Sequence, residues 1–473
     1  MTTPPLPGTN QTDPPNAHPT DGSTSLLIRG GRVIDPESGR DETADVLIAC
    51  GRIRAIGRIG EAQLAGAEVS GVEVSGVQVS GVEVIDAEGL LVTPGLIDPH
   101  VHLRDPGQTA KEDIATGTAA AAAGGFTTVC CMPNTQPAID TPETVELIHA
   151  RARDRGRCRV FCVACGTAGR AGAELAEIRA CVKAGAVGIS DDGDVIADAG
   201  MMLAVLRECA DLGVVFMQHA QDPTLTRGSV MHEGAVSARL GLVGWPRIAE
   251  EIIVERDIRL ARSAAACYHV QHISSGGTVD LIRRARAEGL PVSGEASPHH
   301  LLLTDEACDG FNTLAKMNPP LREASDVRTL VEGVADGTIT VLATDHAPHT
   351  LDEKARPFDE APFGIVGIET ALPLYAEALV QSNAIGWPRL IELLTLEPAR
   401  LCGLDASGLG TLREGGPADL TLIAPDLAWA CEPEAFVSKG RNTPFAGRAL
   451  KGRALCTIVG GRVTHRAEAL AAR

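Results

Sequence analysis

Between residues 95 and 344 the chain alternates short apolar runs of β character with Ala- and Leu-rich helical stretches. The predicted strands are 95–102, 127–132, 159–165, 186–190, 214–219, 268–273, 291–296 and 339–344. Helices are expected at 111–123, 141–155, 175–184, 201–212, 247–265, 279–288 and 327–336. Eight strands alternating with helices predict an α/β fold, a closed (β/α)8 TIM-like barrel. An open doubly wound sheet is the competing arrangement, but no Gly-x-Gly-x-x-Gly turn follows the first strand.

The flanks read differently. Residues 26–28, 32–34, 44–49 and 52–56 are β-rich and punctuated by Gly and Asp, and the texture returns at 419–423 and 457–463. Both flanks carry a hairpin-like Gly-Gly-Arg-Val phrase, at 30–33 and 460–463. They predict one small β-sandwich domain built from both chain ends, 25–93 and 406–473, around a barrel of 94–405. Residues 1–24, rich in Pro, Thr, Asn and Asp, read as a disordered tail. Within 69–84 a Val-Ser-Gly-Val-Glu/Gln unit repeats with a period of five. Strand side chains alternate with a period of two, so each copy would reverse its faces. The run reads as a surface insertion.

Composition narrows the function. Of 473 residues, 44% are hydrophobic, 22% charged and only 3% aromatic, so Ala, Val, Ile and Leu must build the core. A net charge of −19 argues against nucleic acid or an anionic membrane as partner. No apolar run reaches the length of a membrane span, and no signal peptide is expected. The 13 cysteines are scattered and odd in number, which suits a reducing cytoplasm better than a disulfide framework. Cys162 and Cys165 form a Cys-x-x-Cys, but on a strand they face opposite sides, so they read as core residues.

The informative polar residues sit at strand ends: His100-Val101-His102 on the first, Asp191-Asp192 on the fourth, His219 on the fifth, His272 on the sixth and Asp345 on the eighth. In a barrel of this kind the C-terminal strand ends converge on one mouth, where the active site lies. His100 and His102, two apart, project to the same face. Imidazoles and carboxylates without thiolate suit Zn²⁺ or a similar divalent metal, and six ligands are enough for two ions. His269, His299 and His300 read as packed histidines, and His18, His149, His232 and His465 as surface ones. His346 is expected to point away from the cluster, and Lys183 to be a solvated charge. There is no Walker A loop, Gly-x-Ser-x-Gly elbow or His-Glu-x-x-His.

Several phrases resemble the dihydroorotase family of the amidohydrolase superfamily, in its longer bacterial (class I) form. They are Asp98-Pro-His-Val-His-Leu-Arg-Asp-Pro-Gly107, Met132-Pro-Asn-Thr135, Lys316-Met-Asn-Pro-Pro-Leu-Arg322, Ala343-Thr-Asp-His-Ala-Pro-His349, Ala361-Pro-Phe-Gly364 and Ser438-Lys-Gly-Arg-Asn-Thr-Pro-Phe445. The resemblance runs from about residue 26 to 465. It implies one or two Zn²⁺ ions: His100, His102 and Asp345 on one metal, His219 and His272 on the other, and a bridging carboxylate. Asp191 and Asp192 both stand at that position, and the motif favours Asp192. Many superfamily members bridge with a carboxylated lysine, which the fourth strand here lacks. Arg104, Asn134 and His349 match groups that hold the substrate carboxylate. His102, Asn318 and the Phe363-Gly364 backbone match further substrate contacts.

The implied reaction is the reversible cyclisation of N-carbamoyl-L-aspartate to L-dihydroorotate in pyrimidine (UMP) synthesis. It uses hydroxide on the metal and Asp345 as general acid and base. The loop 350–364 is expected to act as a mobile lid. Two rivals stand beside this reading. A hydantoinase or allantoinase would carry the bridging lysine and lack the Arg104/Asn134/His349 set. A non-catalytic scaffold for aspartate carbamoyltransferase would have lost metal ligands. A homodimer and a complex with that transferase are both compatible with the sequence.

Overall fold

The computed structural model describes residues 25–60, 71–74, 77–80 and 82–471. The tail at 1–24 and part of the repeat lie outside them. Eight parallel strands form the barrel in sequential order: Leu96–Val101, Phe126–Cys131, Arg159–Ala164, Ala186–Ile189, Val215–Gln218, Tyr268–Val270, Val292–Ala296 and Val341–Leu342. Each falls within a predicted run or overlaps it almost entirely. The eighth strand's continuation returns to the first, where Val101 bridges His346 in parallel and the His102 N–H donates to the His346 carbonyl at 2.9 Å. Asp98 ties the same seam from within. It accepts from the Thr344 N–H at 3.2 Å and the Thr344 hydroxyl at 2.5 Å. Burial pushes its carboxyl up to about 7.

The helices begin where a side chain caps them. The first barrel helix spans Ile114–Gly124, three residues later than the pattern suggested, because the Asp113 side chain accepts from the Thr116 N–H. It stops at Gly125 in the left-handed region (φ 95°), where the added Cβ of any other residue would crowd Ala454 and Thr421. Helices Pro142–Arg155, Ala199–Leu212, Ile248–Ala264, Gly276–Ala287 and Ala324–Ala335 bury one face each against the barrel. Cys162 and Cys165 are both fully buried, as core residues should be. All 13 cysteines are free.

The chain ends meet in an eight-stranded sheet. Its path runs Arg462–Arg466, Ala449–Val459, Leu420–Ala430, Leu91–Pro94, Ser25–Asp35, Arg40–Ala49, Arg52–Gly57, with Val82–Asp86 also paired to Ser25–Asp35. It has its own core, including Ile28, Val46, Val92, Leu422 and Ile458. The two Gly-Gly-Arg-Val phrases part company here. Gly460 and Gly461 make the expected hairpin turn, whereas Gly30 and Gly31 lie inside one strand, at a register shift. A Cβ on Gly31 would meet Val92 at 2.4 Å, so the glycine is there for close strand packing. The repeat forms a separate small hairpin, Gly71–Val74 against Val77–Ser80, outside the main sheet.

One buried ion pair fastens the sheet to the barrel. Arg159, opening the third barrel strand, reaches Asp419 with two guanidinium nitrogens at 2.6 and 3.1 Å, and both side chains are 6% exposed. Breaking a buried pair leaves an uncompensated charge, at a cost of about 3–5 kcal/mol. Arg159→Met is therefore expected to lower the unfolding free energy by about that much, read by chemical denaturation. A loss below about 1 kcal/mol would mean that the pair is solvent-screened.

Candidate metal and substrate site

Six side chains from five strand ends converge inside the barrel mouth, none more than 5% exposed: His100, His102, Asp192, His219, His272 and Asp345. Asp345 Oδ1 lies 3.0 Å from His102 Nε2 and 3.5 Å from His100 Nε2. Asp192 reaches all four imidazoles, at 3.4 Å to His100, 3.6 Å to His102, 3.4 Å to His219 and 3.6 Å to His272. His219 Nδ1 and His272 Nε2 are 2.8 Å apart. Three overlapping triads have ligand atoms mutually within 4.8 Å: His100–His102–Asp192, His100–His272–Asp345 and Asp192–His219–His272. Asp192 thus touches both halves of the set, and His272 joins His100 and Asp345 as well as His219. His100 Nε2 and His219 Nε2 are buried without a hydrogen-bond partner. Buried polar atoms left unpaired inside such a donor set fit a divalent cation.

Asp191 is turned away. One of its oxygens accepts from the N–H groups of Gly166 (2.8 Å) and Thr167 (3.1 Å), and the other is taken by the Thr167 hydroxyl. Burial alone would raise the Asp345 carboxyl, but His100 and His102 hold it well below the usual carboxylate range. Three residues of the mouth adopt left-handed backbone conformations rare outside glycine: Arg104 (φ 57°), His272 (φ 31°) and Asp345 (φ 47°). Each costs on the order of 1–3 kcal/mol and persists only where its surroundings enforce it.

Sequence reasoning missed Glu295, on the seventh strand. It is fully buried, and its Oε1 lies 2.6 Å from His100 Nδ1. It also accepts from the His272 N–H at 3.1 Å and contacts His269 Nε2 at 3.0 Å. A carboxylate only accepts, so it sets His100 to donate from Nδ1 and to present Nε2 to the cluster. Burial works against its charge, yet His100 and His269 bring the carboxyl down to about 2. A lone acid inside an apolar strand was the available signal. Glu295→Gln is expected to weaken metal binding about 10–100-fold, measured by competition with a chelator. Unchanged affinity would limit Glu295 to packing.

The substrate-contact candidates line a cavity of ≈ 300 Å³ beside the cluster. Asn134 bridges the His102 ring (2.8 Å) and Asp192 (3.3 Å). Arg104, 8% exposed, donates to the Pro348 carbonyl at 3.3 Å and lies 3.4 Å from His349 Nε2. Among the described residues no carboxylate lies within ion-pair distance of its guanidinium. Burial lowers the Arg104 pKa to about 10, and burial together with Arg104 and Lys111 takes His349 down to about 2. Asn318 donates to Gln221 at 3.3 Å and has a buried, unpartnered Oδ1. Phe363 packs edge-on against Trp245, with ring centroids 6.1 Å apart. Gly364 has φ 142°, and a Cβ there would meet the Ala347 carbonyl and His349 at 2.8 Å. Its N–H already donates to the Lys316 carbonyl at 3.0 Å.

Other histidines divide. His269, His299 and His300 are packed, as read, and His346 faces Glu112, away from the cluster. His149 and His232, expected at the surface, are instead 3% and 2% exposed. His149 lies on the barrel-facing side of its helix, and His232 sits 3.2 Å from the buried Arg322 guanidinium. Lys183 is exposed. The loop 350–364 opens with a short helix, Leu351–Lys354, and is fastened from below by buried lysines, which does not suit a freely swinging lid.

A family profile described as Dihydro-orotase-like matches residues 89–277. A dihydroorotase from Pelotomaculum thermopropionicum is 49% identical over 438 residues, covering 93% of this chain and 98% of that one. One from Trichlorobacter lovleyi is 46% identical over 439 residues, covering 93% and 99%. The chain belongs to the dihydroorotase family. Its fold is shared with solved amidohydrolases. An L-hydantoinase (dihydropyrimidinase) from Arthrobacter aurescens superposes with a TM-score of 0.80 at 26% identity, covering 93% of this chain and 96% of that one. A D-hydantoinase (dihydropyrimidinase) from Thermus sp. gives 0.78 at 25%, covering 93% and 95%. Membership makes the chain a hydrolase of the amidohydrolase type acting on a small molecule. Among the described residues no helix is long and apolar enough to cross a membrane.

Proposed function

We propose that the chain interconverts N-carbamoyl-L-aspartate and L-dihydroorotate, the cyclisation step of pyrimidine synthesis, with one or two Zn²⁺ ions. The relatives' names support this, and one observation carries it. Arg104 is a buried guanidinium at the cavity, and among the described residues no carboxylate lies within ion-pair distance of it. Such a group awaits an anionic partner, and its fork matches a carboxylate through two hydrogen bonds. Dihydroorotate brings that carboxylate, and an unsubstituted hydantoin does not. A chain of net charge −19 binds a dianion because local positive charge, not the total, sets the field in the cavity.

His100, His102, Asp192, His219, His272 and Asp345 would hold the metal, with Asp192 between the two halves. When bound, zinc supplies Lewis-acid polarisation of the scissile amide and activation of water. Arg104, Asn134 and His349 orient the substrate through its carboxylate. Asn318 and the Phe363–Gly364 segment flank the ring. In ring opening, Asp345 takes the proton from the attacking water and delivers it to the departing ring nitrogen. In ring closure Asp345 takes a proton from the attacking ureido nitrogen and delivers it to the departing oxygen of the side-chain carboxylate, which leaves as water with a second proton drawn from solvent.

The deciding experiment is an ultraviolet assay of dihydroorotate hydrolysis with metal content measured on the same sample. Activity that is lost on chelation and restored by zinc is the expected result. Metal-loaded protein that opens hydantoin or dihydropyrimidine rings but not dihydroorotate would overturn the reading in favour of the hydantoinase one. Metal-free, inactive protein that co-elutes with aspartate carbamoyltransferase would favour the scaffold. The same chromatography reads the homodimer. The 13 free cysteines support a cytoplasmic setting.

A further inference from the structure

Two buried lysines stand beside the cavity and take no part in the chemistry above. Lys316 is 2% exposed and Lys354 3%. Among the described residues neither has a carboxylate within ion-pair distance. Lys316 Nζ donates to the carbonyls of Phe358 (2.5 Å), Asp359 (3.2 Å) and Ala361 (2.6 Å). Lys354 Nζ donates to those of Pro362 (2.9 Å), Gly364 (3.1 Å) and Lys316 (3.5 Å). An ammonium has three protons, and each here meets three carbonyls. Between them the two collect five of the seven consecutive carbonyls from Phe358 to Gly364. Lys316 Nζ also lies 4.6 Å from the centroid of the Phe363 ring.

This arrangement binds two walls of the cavity together. One wall is Met317-Asn318, the other Pro362-Phe363-Gly364, and Lys354 donates to the Lys316 carbonyl that leads into the first and to the Pro362 and Gly364 carbonyls of the second. The Gly364 N–H donates back to the Lys316 carbonyl at 3.0 Å. Beyond one turn, in which the Glu360 and Ala361 N–H groups donate to the Pro357 carbonyl, and the Asn442 side chain, which shares the Gly364 carbonyl, the segment has no regular hydrogen-bond ladder, so the two cations that take five of its seven carbonyls do most to specify its path. Burying an ammonium without a counter-charge is costly, and burial pushes Lys316 down to about 8 and Lys354 to about 7. A merely structural loop would be held more cheaply by apolar packing.

We propose that Lys316 and Lys354 are positioning residues for the reaction: they organise the 358–364 backbone and thereby hold Phe363, Gly364 and Asn318 against the bound ring. The inference rests on the proposed function for its substrate, but not for its structural readout. The test is Lys354→Met, with Lys316→Met as the second variant because it removes a separate set of carbonyl contacts. Hydrogen exchange by mass spectrometry reads the loop, and steady-state kinetics on dihydroorotate read the consequence. Amides of 358–364 are expected to exchange at least about tenfold faster while the barrel strands keep their protection. KM should rise at least about tenfold, with kcat within about threefold and metal content unchanged. Unchanged loop exchange in a folded variant overturns the proposal, and so does faster exchange with an unchanged KM. A wild-type chain that ignores dihydroorotate would sink the proposed function instead, leaving the exchange result to decide whether the lysines organise the loop.

Discussion

Asp345→Ala is expected to abolish turnover, lowering kcat for dihydroorotate by at least about 10³-fold, the upper part of the range for positioned general acid–base groups. Two losses combine in this variant. The proton carrier between water and ring nitrogen is gone, and so is one candidate metal ligand, 3.5 Å from His100 Nε2 and 3.0 Å from His102 Nε2. Asp345→Asn separates them, because the amide keeps a ligand oxygen and cannot carry the proton. A variant with full metal content and a kcat reduced about as far as in Asp345→Ala would place the loss on proton transfer. Near-wild-type kcat in either variant would remove Asp345 from the mechanism.

The second large effect is expected at Arg104. Arg104→Met removes the guanidinium that awaits the substrate carboxylate. Truncating one member of a buried charge pair costs about 2–5 kcal/mol, which is about 30- to several-thousand-fold in kcat/KM. Most of it should appear in KM, since the carboxylate is bound alike in the ground and transition states. Arg104→Lys keeps the charge but not the fork, so a smaller loss is expected. Dihydrouracil, the same ring without the carboxylate, supplies the control. Its turnover should change little, so the preference for dihydroorotate collapses. An equal loss on both substrates would mean that Arg104 supports the cavity rather than reading the carboxylate.

Much of this site was legible in advance because barrel strands carry their functional side chains at one end, and the ends were visible as breaks in apolar runs. The His-x-His spacing put both rings on one face, and the structure has them there. Which of Asp191 and Asp192 faces inward was not legible from residue type. It depends on Gly166 and Thr167, whose N–H groups claim Asp191 from a neighbouring strand. Glu295 was hidden for a related reason. Its partners, His100 and His269, lie 195 and 26 residues away. The burial of His149 and His232 escaped because polar neighbours in sequence say little about which side of an element faces inward. Gly30-Gly31 and Gly460-Gly461 look alike locally, and only the pairing of Ser25–Asp35 with Arg40–Ala49 makes the first a bulge.

The sheet that joins the chain ends also sets a timetable. Strand Leu91–Pro94 sits in its middle, and one edge pairs with Leu420–Ala430, so that Thr93 meets a residue 328 positions later. At the usual 5–20 residues per second of synthesis, that edge waits about 16–66 s for its partner. During that interval the open edge of this buried strand presents unpaired backbone N–H and C=O groups (a carbonyl alone at Pro94), the template for wrong pairing with another chain. All eight barrel strands, 96–342, are therefore synthesised before Leu420–Ala430 is available to close this edge. Conditions that slow elongation late in the message should raise aggregation without altering a single contact of the finished fold.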